Sequence, residues 1–353
     1  MSKFLVEKYR KLKPYTPGEQ PKNQVMIKLN TNESPYPPGP ATMAALSAEE
    51  AANLRLYSDP DSSDLKQAIA DLYRMQKNNI FVSNGSDDIL NFAFMAFAGE
   101  GGKVYFPEIS YGFYEVFADL YRCDYVKVPL QPDFSIDPKD YVCRDGMIVI
   151  ANPNAPTGQT LSLQQVEEIV RTNRESVVLI DEAYVDFGAD SAAGLVHKYE
   201  NLLVVQTFSK SRSMAGARLG FAIASPALIG DLEKIKFSTN PYNVNRLTSA
   251  AGTAAISENG YYMENCRRIM ETRAYTAEKL TAMGFEVVPS KANFLFAKSP
   301  DVDGGILYEK LRDKGILIRH FDKEAIKQYN RITIGTRQEM ERFLEATAEI
   351  LRK

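Results

Sequence analysis

Between residues 64 and 225 the chain switches repeatedly between two hydrophobic periods, and that alternation limits its fold more than any other feature does. Asp64 to Met75 reads as a helix, with Leu65, Ile69 and Leu72 on one face. Ile80 to Ser83 reads as a strand, Asp87 to Ala98 as a helix, and Lys103 to Phe106 as a strand. Gly112 to Leu120 is helical, Tyr125 to Val128 extended, and Met147 to Ala151 a buried strand. Ser162 to Asn173 starts with a capping box, Ser162 followed by Gln165. Strands then recur from Val177, from Leu202, and from Leu219 to Ala224. Strands alternating with helices predict an α/β fold whose mostly parallel sheet is covered on both faces.

Past Pro226 the pattern changes. Asn245 to Ser257 and Tyr261 to Met283 read as long helices. Phe285 to Val288, Phe294 to Ala297 and Ile316 to Arg319 then alternate with helices at Gly304 to Lys314 and Arg337 to Leu351, a smaller α+β unit. The expected division is an arm over 1–44 that packs on the small unit, a large domain over 45–245, and an interdomain helix with the small domain over 246–353. A length of 353 residues suits two domains.

Composition narrows the function by exclusion. A net charge of -3 with no basic block argues against nucleic acid as a partner. No apolar run reaches membrane-spanning length, and the start Met1-Ser2-Lys3-Phe4 has no signal core, so no membrane partner and a cytoplasmic location are expected. Two histidines and three unpaired-looking cysteines predict neither a metal centre nor a disulfide framework.

The chemistry gathers where strands end. Lys210 follows an apolar strand and lies among Thr207, Ser209, Ser211 and Arg218. An amine able to form a Schiff base, with hydroxyls and a guanidinium suited to phosphate, fits a site for pyridoxal phosphate. Asp181 ends the Val177 strand, at the sheet edge where open α/β folds bind ligands. A carboxylate there can keep a pyridine nitrogen protonated, and Tyr184 can offer its hydroxyl to the ring oxygen. Asp181 equally suits a turn or helix cap. Gly85, Ser86 and Asp87 join a strand to a helix, a ready anion site, although Ser and Asp are also ordinary caps. Asn152 and Asn154 lie in a loop on the same edge that is also a plain turn, and Tyr111 could stack on a ring or sit in the core with Tyr114.

Seven stretches in order resemble the fold-type-I pyridoxal-phosphate aminotransferases, and among them the histidinol-phosphate aminotransferases: Lys28 to Pro35, Leu56 to Pro60, Asn84 to Asp87, Asn152 to Gly158, Asp181 to Tyr184, Thr207 to Gly220 and Arg331 to Thr336. The resemblance implies a seven-stranded sheet in the large domain and a homodimer with shared active sites. It makes Lys210 the Schiff-base lysine, Asp181 the partner of the ring nitrogen and Tyr184 the donor to the ring oxygen. Tyr111 would stack on the ring, and Gly85, Ser86, Asp87, Thr207, Ser209 and Arg218 would hold the phosphate. Tyr57 would reach the neighbouring subunit's cofactor. Tyr15, Arg319 and Arg331 would take the substrate phosphate, with Asn32 near the substrate.

The chain departs from the pattern at one point, where the asparagine before Pro-Thr-Gly is Ala155; Asn154 or Asn152 would substitute, or Tyr184 would act alone. The implied reaction is transamination of histidinol phosphate with 2-oxoglutarate as the acceptor. Threonine-phosphate decarboxylases and aromatic amino-acid aminotransferases share the cofactor residues, and a non-catalytic scaffold on the same fold is the remaining alternative.

Overall fold

The computed structural model describes residues 2–21 and 26–352. The chain opens with β1 (Ile27–Lys28), α1 (Pro40–Ala45), α2 (Ala48–Ala52) and α3 (Ser63–Tyr73). Next come β2 (Ile80–Ser83), α4 (Ser86–Phe97), β3 (Lys103–Pro107), α5 (Phe113–Tyr121) and β4 (Asp124–Val128). Then follow β5 (Met147–Ala151), α6 (Leu163–Thr172), β6 (Val178–Asp181), β7 (Leu202–Thr207) and β8 (Gly220–Ala224). After them run the helices α7 (Pro226–Thr239), α8 (Arg246–Ser257) and α9 (Asn259–Ala282). The chain ends with β9 (Glu286–Val288), β10 (Phe294–Lys298), α10 (Gly304–Asp313), β11 (Ile316–Leu317), β12 (Arg319–His320), β13 (Tyr329–Thr333) and α11 (Arg337–Leu351).

Seven strands form one sheet in the order β2-β8-β7-β6-β5-β3-β4. All run parallel except β8, which is antiparallel to both neighbours. The cause is local: no crossover helix lies between β7 and β8, and a parallel return needs one. The two-residue period sorts each strand cleanly. Ile148, Ile150, Val178, Ile180, Leu202 and Val204 face α3, α6 and α8, whereas Val149, Leu179, Leu203 and Val205 face α4, α5 and α7. Asp181 therefore ends β6 on the α5 side.

The second sheet is antiparallel, in the order β12-β13-β10-β9. Its core, with Phe294, Ile332, Phe343 and Leu280, is continuous with Ile27 and Leu29 of the arm. The arm pairs β1 with β11 in parallel, Ile27 opposite Ile316. The predicted strand from Ile316 to Arg319 is thus two short ones, serving different sheets. Helix α7 and strand β13 have no counterpart in the sequence reading. Pro226 looks like a boundary, yet proline at the first helical position starts a helix, here capped by Ser225. Among the described residues, no helix is long and apolar enough to cross a membrane.

Candidate active site

Two adjoining cavities open at the carboxyl edge of the large sheet. The inner one, about 260 Å³, is lined by Ser86, Asp87, Tyr111, Asp181, Tyr184, Thr207, Ser209, Lys210 and Arg218 among others. The outer one, about 340 Å³, is lined by Tyr15, Asn32, Arg319, Arg331 and neighbours, and shares Thr31, Tyr111, Ala155, Tyr184 and Lys210 with the inner.

Strand ends set the inner cavity. The Asp181 carboxylate is buried at 4% exposure, accepts a hydrogen bond from the Tyr114 hydroxyl at 2.7 Å and another from the Ala183 amide at 3.2 Å. Burial pushes its pKa up to about 6 against those two bonds. The Lys210 amine donates to the Thr31 carbonyl at 3.0 Å. Burial, reinforced by the Arg331 guanidinium, pulls its pKa down to about 8, so a useful fraction is neutral and nucleophilic near pH 7.

At the other end lies an anion cup. Ser86 begins α4, whose first amides have no partner within the helix. Gly85 has φ +90, and a Cβ on it would stand 2.7 Å from the Arg218 Nη2. A Cβ on Gly220 would stand 2.5 Å from the Ser86 nitrogen, so β8 approaches the helix start only because Gly220 has no side chain. Arg218 pairs with Asp87 at 3.0 Å and reaches the Ser209 hydroxyl at 3.4 Å. The other Asp87 oxygen accepts from the Tyr111 hydroxyl at 2.8 Å. That turns the carboxylate aside and leaves the Asp87 amide to the cup. An amine, a buried carboxylate and a helix start lining one cavity suit, in kind, a phosphorylated pyridine aldehyde.

The outer cavity is built differently. In the β12–β13 register Arg319 stands directly opposite Arg331, a like-charge pair that destabilises a sheet by itself. Arg331 donates to the Asn30 carbonyl at 2.8 Å, yet its Nε is buried with no hydrogen-bond partner among the described residues. Arg319 donates to the Thr16 carbonyl at 3.4 Å and lies over the Phe321 ring at 5.5 Å. Tyr15 stacks on Phe113 at 4.3 Å on the rim.

Four sequence candidates, Tyr57, Gly85, Asn152 and Asn154, are not among the residues lining either cavity. Tyr57 is 80% exposed and stacks on Tyr242 at 4.5 Å. The Asn154 amide is spent on Ile109, Thr157 and Ser110, and Asn152 on Leu161. Both amides are thus already hydrogen-bonded within their own loop and its neighbours. Gly85 acts through backbone alone. Tyr114 and Thr31 were not foreseen as site residues. Tyr114 lies three residues after Tyr111 at the start of α5, which was a usable signal; the Thr31 carbonyl left none.

The model of aminotransferase class I and II matches residues 24–346. Over its whole length the chain is 52% identical to all of the histidinol-phosphate aminotransferase of Brachyspira hyodysenteriae. It is 49% identical to a histidinol-phosphate aminotransferase of Hydrogenovibrio crunogenus, covering 100% of this chain and 99% of that one. Among solved structures, the histidinol-phosphate aminotransferase of Sinorhizobium meliloti, in complex with pyridoxal-5'-phosphate, superposes with a TM-score of 0.90 at 24% identity, over 100% of this chain and 98% of the other. A mutant aspartate aminotransferase of Thermus thermophilus shares the fold at TM-score 0.84 and 19% identity, over 99% of this chain and 100% of the other. The chain belongs to the class I and II aminotransferases, and within them to the histidinol-phosphate aminotransferase family.

Proposed function

We propose that the chain uses pyridoxal 5'-phosphate to transfer the amino group of L-histidinol phosphate to 2-oxoglutarate. The observation that carries the substrate is the opposed Arg319 and Arg331 pair, two guanidiniums across a strand register with a buried Nε left over. A dianionic phosphate relieves that repulsion and satisfies Nε in one step, which a single carboxylate does less completely.

When bound, the cofactor supplies an aldehyde carbon for amines and a ring that accepts an electron pair from the substrate carbon. Lys210 would hold that aldehyde, and its Nζ is the group that would move a proton between the amine-bearing carbon of the substrate and the cofactor side. Asp181 would hold a proton on the ring nitrogen, and the positive charge there would oppose the burial penalty that raises its pKa. Tyr184 would donate to the ring oxygen. Ser86, Asp87, Thr207, Ser209 and Arg218 would bind the phosphate, and Tyr111 would cover the ring.

We take Tyr57 to serve a second subunit. It stands 80% exposed, and Met43, Leu46, Leu54 and Leu56 in the same stretch of chain are exposed apolar residues too, side chains that a second copy of the chain would cover. The division into an arm, a large domain and a small domain at 44 and 245 belongs to the same reading.

The decisive test offers histidinol phosphate, phenylalanine, tyrosine and threonine phosphate to the cofactor-loaded protein and follows its visible absorbance. Rapid bleaching by histidinol phosphate, recovered with 2-oxoglutarate, is expected. Preference for phenylalanine, or carbon dioxide from threonine phosphate, would replace this substrate with another; a protein that takes up no cofactor would remove the enzyme.

A further inference from the structure

Ala155 lines both cavities and offers nothing to a ring oxygen, so Tyr184 stands there without the usual second donor. What sets the direction of its hydroxyl then matters. Tyr184 is 9% exposed, and its ring is fixed edge-on against Phe294 at 5.1 Å. Its oxygen receives a hydrogen bond from Asn32 Nδ2 at 2.9 Å.

The orientation of the Asn32 amide follows from its neighbours. The Asn32 backbone N–H, which can only donate, points at the Thr333 hydroxyl oxygen at 3.0 Å. The hydrogen of that hydroxyl is left to donate to Asn32 Oδ1, at 2.9 Å. With Oδ1 committed to Thr333, Nδ2 must face Tyr184, and the Tyr184 proton must point away from Asn32. Asn293 locks the backbone by donating to the Asn32 carbonyl at 2.9 Å. Asn32 has φ 59, a left-handed conformation that asparagine tolerates better than most residues. Asn32 and two of its partners are buried, Asn32 at 1%, Thr333 at 2% and Asn293 at 0%. Two side-chain and two backbone hydrogen bonds on one residue exceed what a loose substrate contact requires.

We propose that Asn32, aligned by Thr333, is a positioning residue that directs the Tyr184 proton into the inner cavity, toward the cofactor's ring oxygen. It makes up for Ala155 by keeping the one remaining donor permanently aimed. Thr333 lies two residues after Arg331 on β13, hence on the same face of that strand. The strand that grips the substrate anion thereby also sets the donor at the ring. This inference rests on the cofactor reading above.

The test follows the pH at which the bound cofactor changes colour, without substrate. A donor to the ring oxygen stabilises its anionic form and weakens its hold on the proton of the Lys210 nitrogen. Removing the donor lets that nitrogen keep its proton to higher pH. Asn32→Ala is expected to raise the midpoint by about half a pH unit or more, and Thr333→Val, which frees the amide to flip, by less. Tyr184→Phe should raise it as far as Asn32→Ala does, and Asn32→Ala in the Tyr184→Phe background should add nothing. Thermal melting and circular dichroism establish that each variant is folded. Midpoints that stay at the wild-type value in Asn32→Ala and Thr333→Val, while Tyr184→Phe moves, overturn the proposal. So does an Asn32→Ala shift that persists undiminished without the Tyr184 hydroxyl. A wild-type protein that takes up no coloured cofactor defeats the functional reading instead, and this inference with it.

Discussion

The inner and outer cavities share a wall but are built on opposite principles. Inside, every charged group already has company: Asp181 has Tyr114 and Ala183, Lys210 has Thr31, and Arg218 has Asp87. Outside, Arg319 and Arg331 face each other with no carboxylate partner among the described residues. The inner groups hang from the ends of rigid strands, the outer ones from the arm and the small sheet. The contrast separates a place for one permanent occupant from a place for ligands that come and go, since standing repulsion can be relieved only by something arriving.

Substitutions should therefore sort by cavity. Lys210→Ala is expected to lower kcat by about 10⁴-fold or more, because both the covalent anchor and the base go; near-normal steady-state turnover would erase the distinction. Asp181→Asn should weaken cofactor binding or turnover by about 10²–10³-fold, as for one partner removed from a buried charge pair. Arg331→Gln should instead raise KM for the phosphorylated substrate by about 10- to 100-fold while the cofactor stays as tightly bound as in the wild type. If cofactor binding falls and KM does not move, the two cavities are not separable.

A smaller effect concerns pH. The Asp181 pKa is raised from 3.8 to about 6 in the fold, so the folded protein holds the extra proton between those values. Its contribution to stability is present below pH 3.8 and is lost as pH rises through about 6. Melting of the cofactor-free protein across that window should fall less steeply in Asp181→Asn, and cofactor should restore the wild type above it. The smallest expected change is Ala155→Asn, which adds back a donor. It should move the colour-change midpoint down slightly, and further in the Asn32→Ala background; no movement in either would show that position 155 does not face the ring oxygen.

Much of the inner cavity was readable because strands print their ends in sequence. Apolar runs over Val177 to Ile180 and Leu202 to Val205 indicated which side chains follow at the sheet edge, and the observed strands run on to Asp181 and Thr207. β13 was not readable: Tyr-Asn-Arg-Ile-Thr places two strongly polar residues inside a strand, because Arg331 lines a cavity and Asn330 donates to the Gly304 carbonyl. Asn32 was found only by resemblance and given the substrate as its target. Its link to Thr333 spans most of the chain, and no local pattern records a contact that distant. The antiparallel turn of β8 was missed for a related reason: a buried strand's composition carries no direction.

The pairing of β1 with β11 bears on how the protein is made. Ile27 and Leu29 are synthesised well before their partners Ile316 and Leu317. Until those partners emerge β1 has no strand to pair with, while the large sheet, whose strands end with β8, can already assemble. Thr31 and Asn32 follow β1 directly and touch Lys210 and Tyr184, so the docking that completes β1 also closes the reaction chamber.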